Sequence, residues 1–138
     1  MKDLAPALYT KLTGSATLTG KLASNTSVYH QTIPQGASLP CVVFNLQAGT
    51  DNYTLKARSW RDRLVQVKGI AASPGDAPDT TAADDIAAAI DSLLTDGTLT
   101  ITGATLLVMR RVSDVSYMEK TDAGLVAHAG GLYRIGTA

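Results

Sequence analysis

Residues 80–96 read TTAADDIAAAIDSLLTD and carry the clearest periodicity in the chain. Their apolar residues recur at steps of three and four, which places them along one stripe of an α-helix. The stripe consists of Ala83, Ile86, Ala87, Ile90, Leu93 and Leu94. Thr80 or Thr81 is expected to cap the first turn, and Gly97 is expected to end the helix in a left-handed conformation. We therefore predict a central amphipathic helix that lies against a flat surface such as a β-sheet.

The N-terminus carries a second helical pattern. Residues 3–12 place three leucines four apart, with Asp3 as the expected cap and Pro6 inside the first turn, where its missing N–H group costs nothing. A weaker helical turn is predicted over residues 15–22. The chain therefore begins with a short helical segment.

Strand patterns follow this segment. Residues 28–29 predict a brief strand, residues 31–39 a surface loop, and residues 41–46 (CVVFNL) a strand that is buried on both faces and central in the sheet. Residues 48–54 have the composition of a turn or loop. Residues 55–70 have the length of two strand spans, with a bulge or a change of packing face expected near Leu64.

The segment after the helix is also predicted to be mostly strand. Residues 98–102 (TLTIT) and 105–112 (TLLVMRRV) are expected to form an antiparallel hairpin, which residues 115–120 extend or follow. A last strand is predicted over residues 125–136, with a bulge or a close backbone contact at Gly130 and Gly131. The predicted fold class is α+β, in which a mostly antiparallel β-sheet carries the central helix and the N-terminal helical segment. Residues 1–138 are expected to form a single domain.

Composition limits the possible functions. Twelve basic and twelve acidic residues give no net charge, which argues against a protein that is held on nucleic acid by bulk electrostatics. The single cysteine, Cys41, lies in an apolar run and is expected to be a buried structural thiol in a reducing compartment. No run of apolar residues has the length of a membrane span or of a signal peptide. We expect a protein that is neither exported nor inserted in a membrane.

The sequence offers no complete catalytic or metal-binding pattern. Asp84 and Asp85 are neighbours at the positive end of a helix, where carboxylates complement the helix dipole, and this interpretation is favoured over acid–base chemistry. His30 and His128 lie in different elements without a third ligand at metal-binding spacing. The sequence therefore predicts no enzyme activity, no metal and no cofactor.

The charges are segregated along the chain. Residues 51–69 contain five basic and two acidic residues, whereas residues 76–96 contain six aspartates and no basic residue. The basic stretch is interpreted as a solvated strand face, as a surface for an acidic protein partner, or as a phosphate contact. A closed ring needs two different and complementary surfaces, and this chain offers them. The candidate subunit-interface residues are Arg58, Arg61, Arg63, Lys68, Asp84, Asp85 and Asp91.

The order of these elements resembles a known family. The resemblance rests on the opening leucine helix, on Val28-Tyr29 followed by residues 39–43 (LPCVV), and on the strand at residues 64–69. It continues through the alanine-rich helix that ends in two leucines, and through the terminal strand LYRI at residues 132–135. In this order and spacing the chain resembles, over nearly its whole length, the tail terminator, or tail completion, family of long-tailed (siphovirus-type) bacteriophages.

The resemblance implies a non-enzymatic virion protein, assembled in the host cytoplasm, that forms a hexameric ring on the tail tube. Such rings end tube polymerisation and offer a surface to the head or neck, with DNA passing through the centre without sequence-specific binding. The implied partners are copies of the chain, the tail tube protein and a neck or connector protein. Loops 31–39, 48–54 and 72–79 are the expected contacts with the tube, the neck or the lumen. A head-to-tail connector and a small-molecule-binding α+β domain stay open as alternatives.

Overall fold

A five-stranded sheet carries three helices on one of its faces. The computed structural model describes residues 1–75 and 77–138. Its helices are α1 (Leu4–Thr13), α2 (Ala16–Thr19) and α3 (Thr81–Leu94). Its strands are β1 (Val28–His30), β2 (Cys41–Tyr53), β3 (Arg58–Ala72), β4 (Leu106–Thr121) and β5 (Gly124–Thr137). The α+β fold class is confirmed.

The strand order in the sheet is β1-β2-β3-β5-β4. The pairs β2–β3, β3–β5 and β5–β4 are antiparallel, and the short β1 runs parallel to β2. The sheet is therefore mostly antiparallel, as predicted. Strand β3 is the central strand, and β2 lies beside it rather than at the centre.

The core lies between the helices and the sheet. Every second residue of β2, β3 and β5 points to the helices, because side chains alternate along a strand. Leu4, Leu8 and Leu12 of α1 and Ile86, Ile90 and Leu94 of α3 are buried against this face. Gly69 of β3 lies directly beneath Ile86, so that a Cβ atom there would overlap the isoleucine side chain. The predicted helical stripe is thus the stripe that covers the sheet.

A smaller cluster fills the opposite face of the sheet near β1. Cys41, Val43 and Ile70 are buried there beneath Ile33 and Leu39 of the loop at residues 31–39. Burial raises the pKa of the Cys41 thiol to about 11, which keeps it protonated. The prediction of a buried cysteine in a strand covered on both faces is confirmed.

The ends of the helices differ from prediction. The N-cap residue of α3 is Thr80, one of the two residues predicted, but its hydroxyl donates to Asp84 instead of accepting a backbone hydrogen bond. The Thr81 amide donates to Asp79 Oδ1. The residue with a left-handed backbone after α3 is Asp96, not Gly97. Gly97 is required for a different reason, since a Cβ atom there would overlap the Leu93 carbonyl oxygen.

Two strand predictions are wrong. Residues 98–102 form no strand in the described structure beyond an isolated bridge between Ile101 and Ala104, and β4 pairs with β5 instead. The apolar side chains of Leu99 and Ile101 pack into the main core instead. Residues 48–53 continue β2 rather than forming a loop, because they pair with β3, and the chain reverses only at residues 54–57. The irregularity expected near Leu64 lies across from it, on β2 between Leu46 and Ala48.

The last strand agrees with prediction. Strand β5 covers the predicted residues 125–136, and Gly130 makes the close contact expected of it: a Cβ atom there would overlap the Val67 carbonyl oxygen and the Lys68 Cα. The loop predicted at residues 72–79 leads from β3 to α3, and Asp76 within it lies outside the described residues.

Candidate subunit interface

Two basic side chains of β3 share one carboxylate of β2. Arg61 Nε donates to Asp51 Oδ1 at 2.9 Å, and Arg58 Nη1 lies 3.7 Å from Asp51 Oδ2. The Arg58 side chain is 47% exposed and that of Arg61 is 31% exposed. Exposed pairs of this kind contribute about 0–1 kcal/mol. Because two guanidinium groups face one carboxylate, the cluster keeps a net positive charge that a partner can reach.

Arg63 is buried inside the subunit. It is 1% exposed, and its two terminal nitrogens donate to the Asp3 carboxylate at 2.7 and 2.9 Å. A further hydrogen bond of 3.0 Å joins Arg63 Nη2 to the Thr137 hydroxyl. The hydrogen bonds from Arg63 hold the pKa of Asp3 far below its usual range. The sequence placed Arg63 on an outward face, but its guanidinium is used to attach the start of α1 to the sheet.

Lys68 lies on the sheet face that is opposite the helices. Its ammonium donates to the Tyr117 hydroxyl at 2.5 Å, and the Tyr117 ring stacks on the His128 ring with centroids 4.4 Å apart. His128 Nε2 lies 3.4 Å from Glu119 Oε1. Burial, followed by the charge of Lys68, lowers the pKa of His128. Lys68 and Arg63 therefore point to opposite sides of the sheet although they belong to one strand.

Two of the three predicted acidic residues are exposed on α3. Asp84 accepts a hydrogen bond from Thr80 in the first turn, where the helix dipole favours a carboxylate. Asp85 lies on the side of α3 that faces α2, in a shallow depression that also contains Lys21. Both carboxylates are available to a partner.

Asp91 is committed to contacts within the subunit. It accepts hydrogen bonds from the Thr95 hydroxyl at 2.6 Å and from the Tyr133 hydroxyl at 3.3 Å, and it lies 3.7 Å from Arg111 Nε. Burial, with the nearby Asp91 charge, raises the pKa of Tyr133. Asp91 thus joins α3 to β5 and β4.

A groove runs between α3 and β4. Its floor is made of small residues, Ala87, Ala129 and Gly130, and carboxylates of Asp84 and Asp114 stand at its rim. We call this the α3–β4 groove. Sequence reasoning missed Asp114 because nothing local relates a residue of β4 to a helix that ends twenty positions earlier.

The structure does not bring the seven predicted interface residues to one place. Arg58 and Arg61 lie at the far end of the β2–β3 hairpin, Lys68 on the outer sheet face and the aspartates on α3. The described residues include no group of three or more His, Cys, Asp or Glu side chains that could hold a metal ion. Within the same residues, no helix has the length and apolarity needed to cross a membrane.

Comparison with solved structures identifies the class of fold. A chain from the structure described as "Virion of native gene transfer agent (GTA) particle" superposes with a TM-score of 0.66 at 19% identity, covering 99% of this chain and 95% of that chain. At this identity the similarity establishes a shared fold, which is that of a virion protein chain. None of the curated proteins compared with the sequence matches it.

The family follows from the sequence itself. A family model described as "Tail completion protein gp17" matches residues 6–129, and the chain belongs to this family. It is therefore a structural protein of the phage tail and a component of the virion. The resemblance inferred from the order of the elements is confirmed.

Proposed function

We propose that the chain assembles as a hexameric ring that caps the phage tail tube. The ring ends tube polymerisation and offers its outer surface to the neck or connector protein, while DNA passes through its centre. Membership of the tail completion family supports this proposal. The observation that carries it is the separation of charge within one subunit: the exposed Arg58 and the half-buried Arg61 lie at the far end of the β2–β3 hairpin, and exposed aspartates lie on α3.

A ring requires contacts of this type. When one surface of a subunit binds a different surface of the next, the assembly closes if the rotation between subunits allows it. Arg58 and Arg61 supply the basic surface, and Asp84 and Asp85 supply the acidic one. Lys68 is not part of this basic surface, because it lies on the outer sheet face with its ammonium bound to the Tyr117 hydroxyl. We leave Arg63 and Asp91 out of this interface because their charged groups are bound within the subunit.

Native mass spectrometry of the pure protein tests the proposal, alone and with tail tube protein. We expect six-fold rings in at least the second condition. Assembly should be stronger at low than at high salt, because ions screen exposed charges. A monomer under both conditions would contradict the proposal. Microscopy of labelled virions separates a ring at the tube end from a ring in the neck.

A further inference from the structure

The β2–β3 hairpin ends in an arm that leaves the sheet. Within the described structure, β1 pairs with β2 only as far as Phe44, and β5 pairs with β3 only as far as Arg61. Residues 51–61, which we call the arm, begin at this last paired position, and residues 52–60 project past the neighbouring strands. The arm has a defined tip, since both the amide and the hydroxyl of Thr54 donate to the Ala57 carbonyl.

The tip of the arm is apolar and cationic. Leu55 is fully exposed, at 106%, and Tyr53 is 70% exposed. Lys56, Arg58 and Arg61 supply three positive charges to the arm, and Asp51 supplies one negative charge. Single exposed apolar residues are common on proteins, whereas these two, within three positions, place a small apolar patch on the tip. The arm is thus suited to an acidic surface that has room for apolar side chains.

The α3–β4 groove has these properties. Its floor is lined by alanine and glycine, which extend no large side chain into it, and Asp84 and Asp114 place negative charge on its rim. Arg111 at the groove contacts two carboxylates, Asp114 at 2.8 Å and Asp91 at 3.7 Å, so its charge is neutralised there. Three carboxylates against one guanidinium give this region a net negative charge.

The arm and the groove of one chain are far apart. Arg61 at the base of the arm pairs with Thr137, whereas Ala129 in the groove pairs with Gly69, eight residues further along β3. At about 3.3 Å per residue the separation is about 26 Å, in a direction away from the tip of the arm. The arm cannot fold back into its own groove, so only a second copy can supply the tip.

We propose that the arm of one subunit docks in the α3–β4 groove of the next, with Leu55 and Tyr53 against the alanine floor and Lys56 beside Asp114. This inference rests on the ring assembly proposed above and names the contact that builds it. The contact is head-to-tail, which is the type that closes a ring. Its apolar anchor is a pair of residues that the charge pattern alone did not indicate.

Two double variants test the two sides of this contact, one at the arm and one at the groove. Leu55→Ser with Lys56→Glu disables the arm, and Asp114→Lys with Ser116→Lys disables the groove. All four positions are exposed, so each variant is expected to unfold at the wild-type temperature. Each variant alone should stay monomeric under conditions in which the wild type assembles, with association weakened at least about 30-fold, as is typical of an interface hot spot. Leu107→Ser and Asp122→Lys, at exposed sites elsewhere, are the matched controls and should assemble normally.

Mixing the two disabled variants gives the decisive result. One intact arm and one intact groove remain in the mixture, so native mass spectrometry should show a dimer of one copy of each variant and no larger species. Rings formed by either variant alone, or no dimer in the mixture, would overturn the inference while leaving the ring proposal standing. A wild-type chain that never assembles, alone or with tail tube protein, would remove both.

Discussion

The two ends of the β2–β3 hairpin show what burial does to one pair of strands. At one end the helices cover the two strands. Four of their side chains are fully buried there: Val42, Phe44, Val65 and Val67. At the other end Tyr53, the last residue of β2, and Leu55 in the turn that follows are in solvent. The covered end stabilises the subunit. We expect the exposed end to add little to that stability, and the docking proposed above accounts for its length.

The largest expected difference between the two ends is in packing. Phe44 is fully buried and stacks on His30 with ring centroids 5.0 Å apart, so Phe44→Ala should lower the free energy of unfolding by about 3–5 kcal/mol. Leu55→Ala is the matched control at the exposed end and should change it by less than about 0.5 kcal/mol. Urea unfolding measures both. Equal losses would show that the arm is packed in the subunit and would break the comparison.

The next effect is expected at the boundary between the two ends, where Arg63 is buried against Asp3. Asp3→Asn removes the charge that compensates Arg63 and should cost about 3 kcal/mol at neutral pH, at the lower end for buried pairs because Asp3 is 29% exposed. The pKa of Asp3 is lowered in the folded state. The stabilising effect of its charge is therefore complete at pH values above the ordinary pKa of an aspartate, and it is lost as the pH falls below that value.

The pH dependence distinguishes this pair from a packing effect. Unfolding measured from pH 7 down to pH 2 should show the difference between wild type and Asp3→Asn shrinking below about pH 4, because the wild-type carboxyl is protonated on unfolding there. A difference that stays constant over this range would mean that the Asp3 charge is not what stabilises the subunit. Asp122→Asn, at an exposed turn, is the control.

The smallest expected effect compares two glycines. A Cβ atom at Gly130 would overlap backbone atoms of β3, so Gly130→Ala should cost about 1–3 kcal/mol. At Gly49, on the exposed side of the boundary, the nearest atom to an added Cβ is Arg63 Cγ at 3.5 Å, an ordinary contact. Gly49→Ala should therefore be neutral or stabilise by up to about 1 kcal/mol. Thermal unfolding of the two variants tests this difference between the covered and the exposed part of the sheet. We expect only Gly130→Ala to be destabilised.

Much of the fold could be predicted because its signals are local. The helix at residues 80–96 and the last strand at residues 125–136 are defined by periodicity that needs no distant partner. The prediction of a hairpin at residues 98–112 is wrong because strand pairing depends on distant segments as well as on local periodicity. The alternating pattern in TLTIT is equally compatible with a segment that buries Leu99 and Ile101 in the core without forming a strand. Strand β4 pairs with β5 instead of with this segment.

The candidate interface could be predicted only in part. The segregation of basic and acidic residues is visible in the sequence, and the structure leaves Arg58, Arg61, Asp84 and Asp85 accessible. The structure excludes Arg63 from the candidate interface, because its guanidinium is bound to Asp3, which lies sixty positions earlier in the chain. No rule based on spacing relates two residues at that separation.

By itself the sequence determined the helices, the strand-rich character, the buried cysteine and the similarity to a tail completion family. Each of these depends on residue type and short-range periodicity, which the chain carries before it folds. Tertiary structure alone decided which charges are free, where the arm leaves the sheet and which surfaces form the α3–β4 groove. These depend on which strands become neighbours, and strand pairing between distant segments is set by the packing of the whole core.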